Sequence, residues 1–217
     1  MKESADTRRT RAARIVEHLR RAYPDSRCSL DYKTPHQLLV ATILSAQCTD
    51  ARVNLTTPEL FRKYPSVKAF AEADLETLSK DVHSCGYHNQ KAKSLIGMSR
   101  VLVEKHRSRV PETLEELVEL PGVGRKTANC ILGEVFGVPS LVIDTHMVRI
   151  MNLLQLGDTT DAVKLERQLM DVFEPAEWVS MVHRTIDHGR AVCIARRPRC
   201  GECVLAGDCP SANGAAR

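Results

Sequence analysis

An all-α fold is predicted by three observations. Apolar residues recur at three- and four-residue spacing along most of the chain, helix-capping residues punctuate those stripes, and the period-two alternation of a half-buried strand is nearly absent. The first stripe is Ala12, Ile15, Val16 and Leu19, between Asp6 and Pro24. Thr34 followed by Pro35 reads as a cap with proline at the first helical position, opening a helix through Leu38, Leu39, Thr42 and Ile43. From Asp50 the pattern continues through Val53, Leu60 and Phe61, with a kink or break expected at Pro58. Ser66 and Asp74 can each cap a short helix. A longer one follows His88, carrying Ala92, Leu95, Ile96, Met98 and Leu102. Thr113 and Glu116 form a capping box that starts a helix over Leu114 to Leu120. Asp144, then Thr160 or Asp161, and then Pro175 precede three more, the last holding the only tryptophan, Trp178.

A chain of 217 residues can bury a substantial core as one large or two small domains. Hydrophobic residues make up 43 %, and no apolar run approaches membrane-spanning length, so a soluble protein is expected. Aromatic residues are only 4 %, too few for the stacking platforms that grip single strands. The formal charge of +4 is a mild bias toward polyanions, and net charge alone does not argue for nucleic acid.

Four of the eight cysteines crowd into one segment: Cys193, Cys200, Cys203 and Cys209, spaced C-x6-C-x2-C-x5-C. Zinc is usually held by paired short spacings, and only Cys200 and Cys203 make such a pair. Disulfides need an oxidising compartment, yet the N-terminus lacks the apolar core of a signal peptide. Four thiolates on one loop suit a cubane iron–sulfur cluster, with zinc the weaker alternative. The scattered Cys28, Cys48, Cys85 and Cys130 read as reduced packing residues.

Leu120-Pro121-Gly122-Val123-Gly124-Arg125-Lys126-Thr127-Ala128 joins two helices through a turn with two glycines. Both glycines can take backbone angles that bulkier residues resist, and their amides can align with the free N–H groups of the next helix. That arrangement either forms a phosphate nest or is a sharp connection and nothing more. Lys126 falls in the first turn of the second helix, beside Arg125, where it can serve as a nucleophile or as a phosphate-binding surface lysine. Val142-Ile143-Asp144-Thr145-His146 is an apolar run ending in a carboxylate at a helix start; as a bare cap Asp144 is ordinary.

Together these features resemble the helix-hairpin-helix superfamily of DNA glycosylases, and specifically the endonuclease III family. The resemblance runs in order from Pro35-His36-Gln37-Leu38-Leu39 through Leu44-Ser45-Ala46-Gln47-Cys48-Thr49-Asp50, the hairpin, the Asp144 segment and His188-Gly189-Arg190 into the four cysteines. It covers nearly the whole chain. It implies two helical domains with DNA across the cleft between them: residues 28–138 as a six-helix domain carrying the hairpin, and 1–27 with 139–217 as a domain holding a [4Fe–4S] cluster on Cys193, Cys200, Cys203 and Cys209. Lys126 then matches the nucleophile and Asp144 the catalytic aspartate. The implied activity is bifunctional: excision of oxidised or reduced pyrimidines from duplex DNA, then a nick 3′ to the abasic site by β-elimination through a lysine Schiff base. Gly122, Gly124 and Arg125 would grip phosphate, and Gln47 would enter the gap left by the flipped nucleotide. Arg196, Arg197 and Arg199 would form a phosphate-contacting surface braced by the cluster. Where family members commonly carry a wedge leucine after a glycine, this chain has Tyr87, followed by His88. Tyr87 either stacks on a base or folds back onto its helix. The expected partner is damaged double-stranded DNA and no membrane, with the protein a monomer, cytoplasmic and nucleoid-associated. The competing readings are a monofunctional mismatch glycosylase removing adenine or thymine, against which Lys126 argues, and a non-enzymatic DNA-binding module, which leaves Lys126 and Asp144 unused.

Overall fold

A computed structural model of the chain describes residues 3–212. Among these residues every regular element is helical. The α-helices are α1 (Ala5–Ala22), α2 (Pro35–Ser45), α3 (Asp50–Lys63), α4 (Val67–Ala71), α5 (Leu75–Asp81), α6 (His88–His106), α7 (Leu114–Val118), α8 (Arg125–Phe136), α9 (Thr145–Leu153), α10 (Ala162–Met170) and α11 (Trp178–Ala191). No helix among the described residues is long and apolar enough to cross a membrane.

Most helix starts follow from local side-chain chemistry. Thr34, Thr49, Ser66, Asp74, Thr113, Asp144 and Asp161 each accept a hydrogen bond from a first-turn backbone N–H, and each such cap is worth about 1 kcal/mol. The capping box at α7 is closed differently from the usual form, with the Thr113 hydroxyl donating to the Glu116 carboxylate at 2.6 Å. That helix ends at Val118, short of Leu120. The break expected at Pro58 does not occur, because α3 runs through it. Pro58 lies on the exposed side, so the carbonyl four residues earlier, left without its N–H partner, can turn to water, while Val53, Thr57 and Leu60 stay buried on the other face.

The chain divides into two compact units, Cys28–Val138 and the combination of Met1–Arg27 with Pro139–Arg217. The first holds α2 to α8, with α4 and α7 only five residues each. Its core is aliphatic: Leu38, Leu39 and Leu44 from α2 and Leu95, Met98 and Leu102 from α6 are fully buried. Burying one such side chain stabilises by roughly 1.5–3 kcal/mol. The α6 helix packs against α2, α4 and α5 and so organises the unit.

The second unit joins both ends of the chain. Ala12, Ile15, Val16 and Leu19 of α1 pack with Met147, Ile150 and Met151 of α9, Leu165 and Leu169 of α10, and Met181 and Val182 of α11. Arg11 is buried here and explains its own burial: it pairs with Glu3 at 2.7 Å and donates to the carbonyls of Leu154 at 2.7 Å and Asp208 at 3.1 Å. An arginine with its donors matched can be taken out of water, and here it ties α1 to the cysteine-bearing segment.

Candidate functional site

The hairpin between α7 and α8 is anchored from beneath. Leu120 and Val123 are buried, and the Val123 N–H donates to the Leu120 carbonyl at 3.0 Å. Gly122 has φ +81°, and a Cβ there would lie 2.6 Å from Cβ of Ser94 on α6. Backbone angle and space both demand glycine at that position. Gly124 does not use the special angles open to it. Its φ of −94° and ψ of 173° suit any residue, and nothing stands within 4 Å of an added Cβ. Its consequence is an α8 N-cap with no side chain, so no cap oxygen accepts from the first-turn N–H groups. Arg125 and Lys126 occupy that first turn and are exposed.

Asp144 is the N-cap of α9, half-buried, and its Oδ1 accepts the Met147 N–H at 2.7 Å. The cap holds the carboxylate in one orientation. Arg149, one turn further along α9, donates to the Cys193 carbonyl at 2.7 Å, so the helix headed by Asp144 is braced on the cysteine segment.

That segment has little regular structure beyond two short 3-10 turns, Cys200–Glu202 and Ala206–Asp208. Backbone bonds fold it back on α11: the Cys193 N–H donates to the His188 carbonyl at 2.9 Å and the Arg199 N–H to the Val192 carbonyl at 3.0 Å. All four cysteines line one partly open cavity, together with apolar residues such as Ile150, Leu154 and Leu205 and with His188, Arg199 and Ser211. Burial pushes the Cys193 and Cys203 thiols above their ordinary pKa, so a bound cationic centre is what would draw their protons off. The four thiols open onto one shared cavity from a single loop, and a cubane takes four thiolates from around itself. The cysteines fit an iron–sulfur cluster.

His188 completes the site. It is 1 % exposed, with Nδ1 3.1 Å from the Tyr23 hydroxyl and Nε2 3.5 Å from Sγ of Cys203. Burial brings its pKa down to about 4, so the ring is neutral. The neutral ring carries one proton, and in the tautomer with that proton on Nε2 the ring accepts from Tyr23 and donates toward the cysteine sulfur.

The other expected residues fall at exposed positions. Gln47 follows α2 directly with φ 53°, and Tyr87 precedes α6 with φ 46°. Left-handed backbone costs a residue with a side chain roughly 1–2 kcal/mol. Tyr87 is the odder of the two, since a residue before a helix normally takes extended angles. It is 67 % exposed, so it does not fold back onto α6. His88 is half-buried, its Nδ1 taken by Ser79 at 2.7 Å and its ring 4.5 Å from that of His83. Arg196, Arg197 and Arg199 are exposed along the loop between Cys193 and Cys200. The scattered cysteines are free thiols. They meet in pairs, Cys48 beside Cys85 and Cys130 beside Cys28, contacts that spacing alone does not reveal.

The sequence patterns passed over Arg149, Tyr23 and His188 as site residues, and also Lys91. Lys91 carried a visible signal: with Leu95, Met98 and Leu102 it lies on the buried stripe of α6, where a lysine is out of place unless its charge is matched.

An uncapped glycine hairpin and a four-cysteine cavity in an all-helical chain define a helix-hairpin-helix protein with an iron–sulfur centre. Residues 40–175 match the family model described as HhH-GPD superfamily base excision DNA repair protein, and residues 193–209 match the iron-sulfur binding domain of endonuclease III. The endonuclease III of Synechocystis sp. is 48 % identical over 207 residues, covering 95 % of this chain and 94 % of that protein. A solved non-covalent endonuclease III–DNA complex superposes with TM-score 0.90 at 36 % identity, over 95 % of this chain and 97 % of that one. A trapped endonuclease III–DNA covalent intermediate gives TM-score 0.91, also at 36 % identity, over 96 % and 99 %. The chain belongs to the endonuclease III family of the HhH-GPD superfamily. It is a base excision repair enzyme, a DNA glycosylase with abasic-site lyase activity, and it carries a [4Fe–4S] cluster.

Proposed function

We propose that Lys126 is the nucleophile and Asp144 the catalytic carboxylate of an enzyme that excises oxidised or reduced pyrimidines from duplex DNA. The observation that carries this reading is the exposed Lys126 amine in the first turn of α8, behind a glycine cap that leaves the helix N-terminus open to phosphate. The superposable covalent intermediate of a 36 % identical endonuclease III supports it.

The damaged nucleotide must leave the stack, because its glycosidic bond is out of reach inside the duplex. As the bond from C1′ to the base lengthens, the sugar gains cationic character, which the Asp144 carboxylate stabilises. The neutral Lys126 Nζ donates its electron pair to C1′ and the base departs with the bonding pair. The amine then gives up a proton, the sugar ring opens, and a Schiff base links Nζ to C1′. That iminium acidifies C2′–H; loss of the proton forms a C2′–C3′ double bond and expels the 3′ phosphate. Water then hydrolyses the imine and frees Lys126.

Gly122, Gly124 and Arg125 hold a backbone phosphate; Arg196, Arg197 and Arg199 hold others, with His88 adjoining. Gln47 and Tyr87 enter the space vacated by the flipped nucleotide. Residues 28–138 act as the hairpin-bearing six-helix domain, and 1–27 with 139–217 as the domain whose Cys193, Cys200, Cys203 and Cys209 ligate the cluster. When bound, the cluster would supply a four-point cross-link through those sulfurs. The protein acts as a monomer on damaged duplex DNA in the cytoplasm, at the nucleoid.

Borohydride reduction in the presence of an abasic-site duplex tests the assignment. Wild-type protein is expected to be trapped on the strand, while Lys126→Gln binds the duplex within about threefold yet gives neither adduct nor nick. Retained trapping by Lys126→Gln would move the nucleophile elsewhere.

A further inference from the structure

Lys91 is only 5 % exposed, yet it is a lysine in the middle of an apolar stripe. Its ammonium reaches across two loops. Nζ donates to the Leu44 carbonyl at 2.7 Å and to the Cys85 carbonyl at 2.8 Å. Leu44 lies in the last turn of α2, where a carbonyl has lost its intrahelical partner, and Gln47 follows three residues later. Cys85 ends the 3-10 turn His83–Cys85, and Tyr87 follows two residues later. Burial pulls the Lys91 pKa below the ordinary lysine value. Two charge-assisted hydrogen bonds at short distance are what offset that desolvation.

The two loops share a second property. Gln47 and Tyr87 are exposed, carry bulky side chains, and sit in left-handed backbone that glycine would adopt more readily. Strained angles of this kind persist only where the surroundings over-determine them. The Cys85 loop has a further anchor on α3, where the Thr56 hydroxyl meets Ser84 Oγ at 2.9 Å. Lys91 adds a bond from one rigid helix to the root of each loop. Exposed side chains that must act together in a duplex then start from one fixed spacing, which lowers the ordering cost on binding.

We propose that Lys91 is a positioning residue for duplex recognition, a buried ammonium clamp that sets the Gln47 and Tyr87 loops relative to each other so that both side chains enter the helix at a lesion. The proposal rests on the reading that these two residues contact DNA. Its chemistry is confined to the opened duplex: Lys91 touches neither substrate nor Lys126, and a single-stranded abasic site, having no opposite base and no gap to fill, does not need the clamp.

The test compares wild type, Lys91→Met, Lys91→Arg and the double variant Gln47→Ala with Tyr87→Ala. Three readouts are taken: excision on thymine glycol duplexes with each of the four opposite bases, lyase activity on a single-stranded abasic oligonucleotide, and fluorescence of 2-aminopurine placed opposite the lesion. Lys91→Met removes the ammonium and both its hydrogen bonds while keeping an unbranched stem that matches the lysine chain up to Cε. It is expected to lower duplex excision at least tenfold, to change the ranking of opposite bases, and to abolish the 2-aminopurine rise on binding, with single-strand lyase activity within twofold of wild type. Lys91→Arg keeps the charge and the N–H donors and is expected to stay within threefold on every substrate; should Lys91→Met fail to fold, the shorter, uncharged Lys91→Gln carries the test with the same duplex-only loss expected, and a folded Lys91→Gln that keeps wild-type duplex excision overturns the clamp. Equal losses on duplex and single strand in Lys91→Met would reduce Lys91 to a packing residue and overturn it too. If the double variant excises normally, the reading of Gln47 and Tyr87 fails; if it is impaired while Lys91→Met is not, that reading stands and the clamp falls.

Discussion

The hairpin at residues 120–126 and the cysteine segment at 193–209 obtain their shapes by opposite means. The hairpin is shaped by covalent geometry and packing: a glycine with φ +81° pressed on Ser94, buried Leu120 and Val123, and a helix that starts without a side-chain cap. The cysteine segment has two three-residue turns, exposed arginines and four cysteines around one cavity. The hairpin is held by backbone and packing alone. On the proposed ligation, the cysteine segment is held by a group that joins four sulfurs. Loss of the cluster should therefore disable the second region and leave the first intact.

The largest effect expected from breaking this comparison is at Cys203. Cys203→Ser should lower iron from about four atoms per chain to less than half of that by metal analysis. Duplex affinity should weaken on the order of tenfold through disorder of Arg196, Arg197 and Arg199, while trapping at Lys126 persists at saturating DNA. Intact affinity without iron would show that these arginines are not the contact. Asp144→Asn comes next. Asparagine caps nearly as well as aspartate, so Tm should move little while base excision falls about a hundredfold or more; excision at the wild-type rate would remove Asp144 from the chemistry.

Within the hairpin, the two glycines should part. Gly122→Ala meets both a left-handed angle and Ser94, and is expected to cost roughly 2 kcal/mol or more in chemical unfolding. Gly124→Ala has ordinary angles and open space, so its stability should change by less than about 0.5 kcal/mol, while duplex binding drops severalfold because a methyl group crowds the phosphate site. Equal unfolding penalties would contradict the distinction drawn here.

The smallest effect is on pH dependence. His36 in the hairpin-bearing unit packs edge-on against Phe70, and burial brings its pKa from 6.5 to about 4. Between those values the unfolded chain holds more protons than the folded one. Its contribution is thus fully present above pH 6.5 and is lost as pH falls toward 4, by about 1–3 kcal/mol. His36→Leu should flatten that part of the stability profile; an unchanged slope would place the proton uptake elsewhere.

Much of this molecule was legible before any coordinates. Helix starts at Thr34, Ser66, Asp74 and Asp144 could be read because a cap is a contact within three residues of sequence. The hairpin and the four-cysteine spacing could be read for the same reason, as each is a short continuous pattern. That the helix runs unbroken through Pro58 could not be read, because what decides a proline's effect is which face of the helix meets water, and that depends on what packs against α3. Whether the second glycine of the hairpin uses the angles open to it could not be read either, because residue type states what a backbone can do, not what it does.

Sequence alone determined the all-helical class, the positions of most helix starts, the four-cysteine spacing and the family to which the chain belongs, because all of these are encoded in short-range patterns. Tertiary structure alone decided that Tyr87 stands out from its helix, that Tyr23 meets His188 and His188 in turn reaches Cys203, that the scattered cysteines meet in pairs, and that Lys91 is buried between two carbonyls. Those contacts join residues distant along the chain, 165 positions apart for Tyr23 and His188 and 47 for Lys91 and Leu44. A buried polar group is stable only when such partners arrive together. That is a property of the packed fold, and no local window of residues contains it.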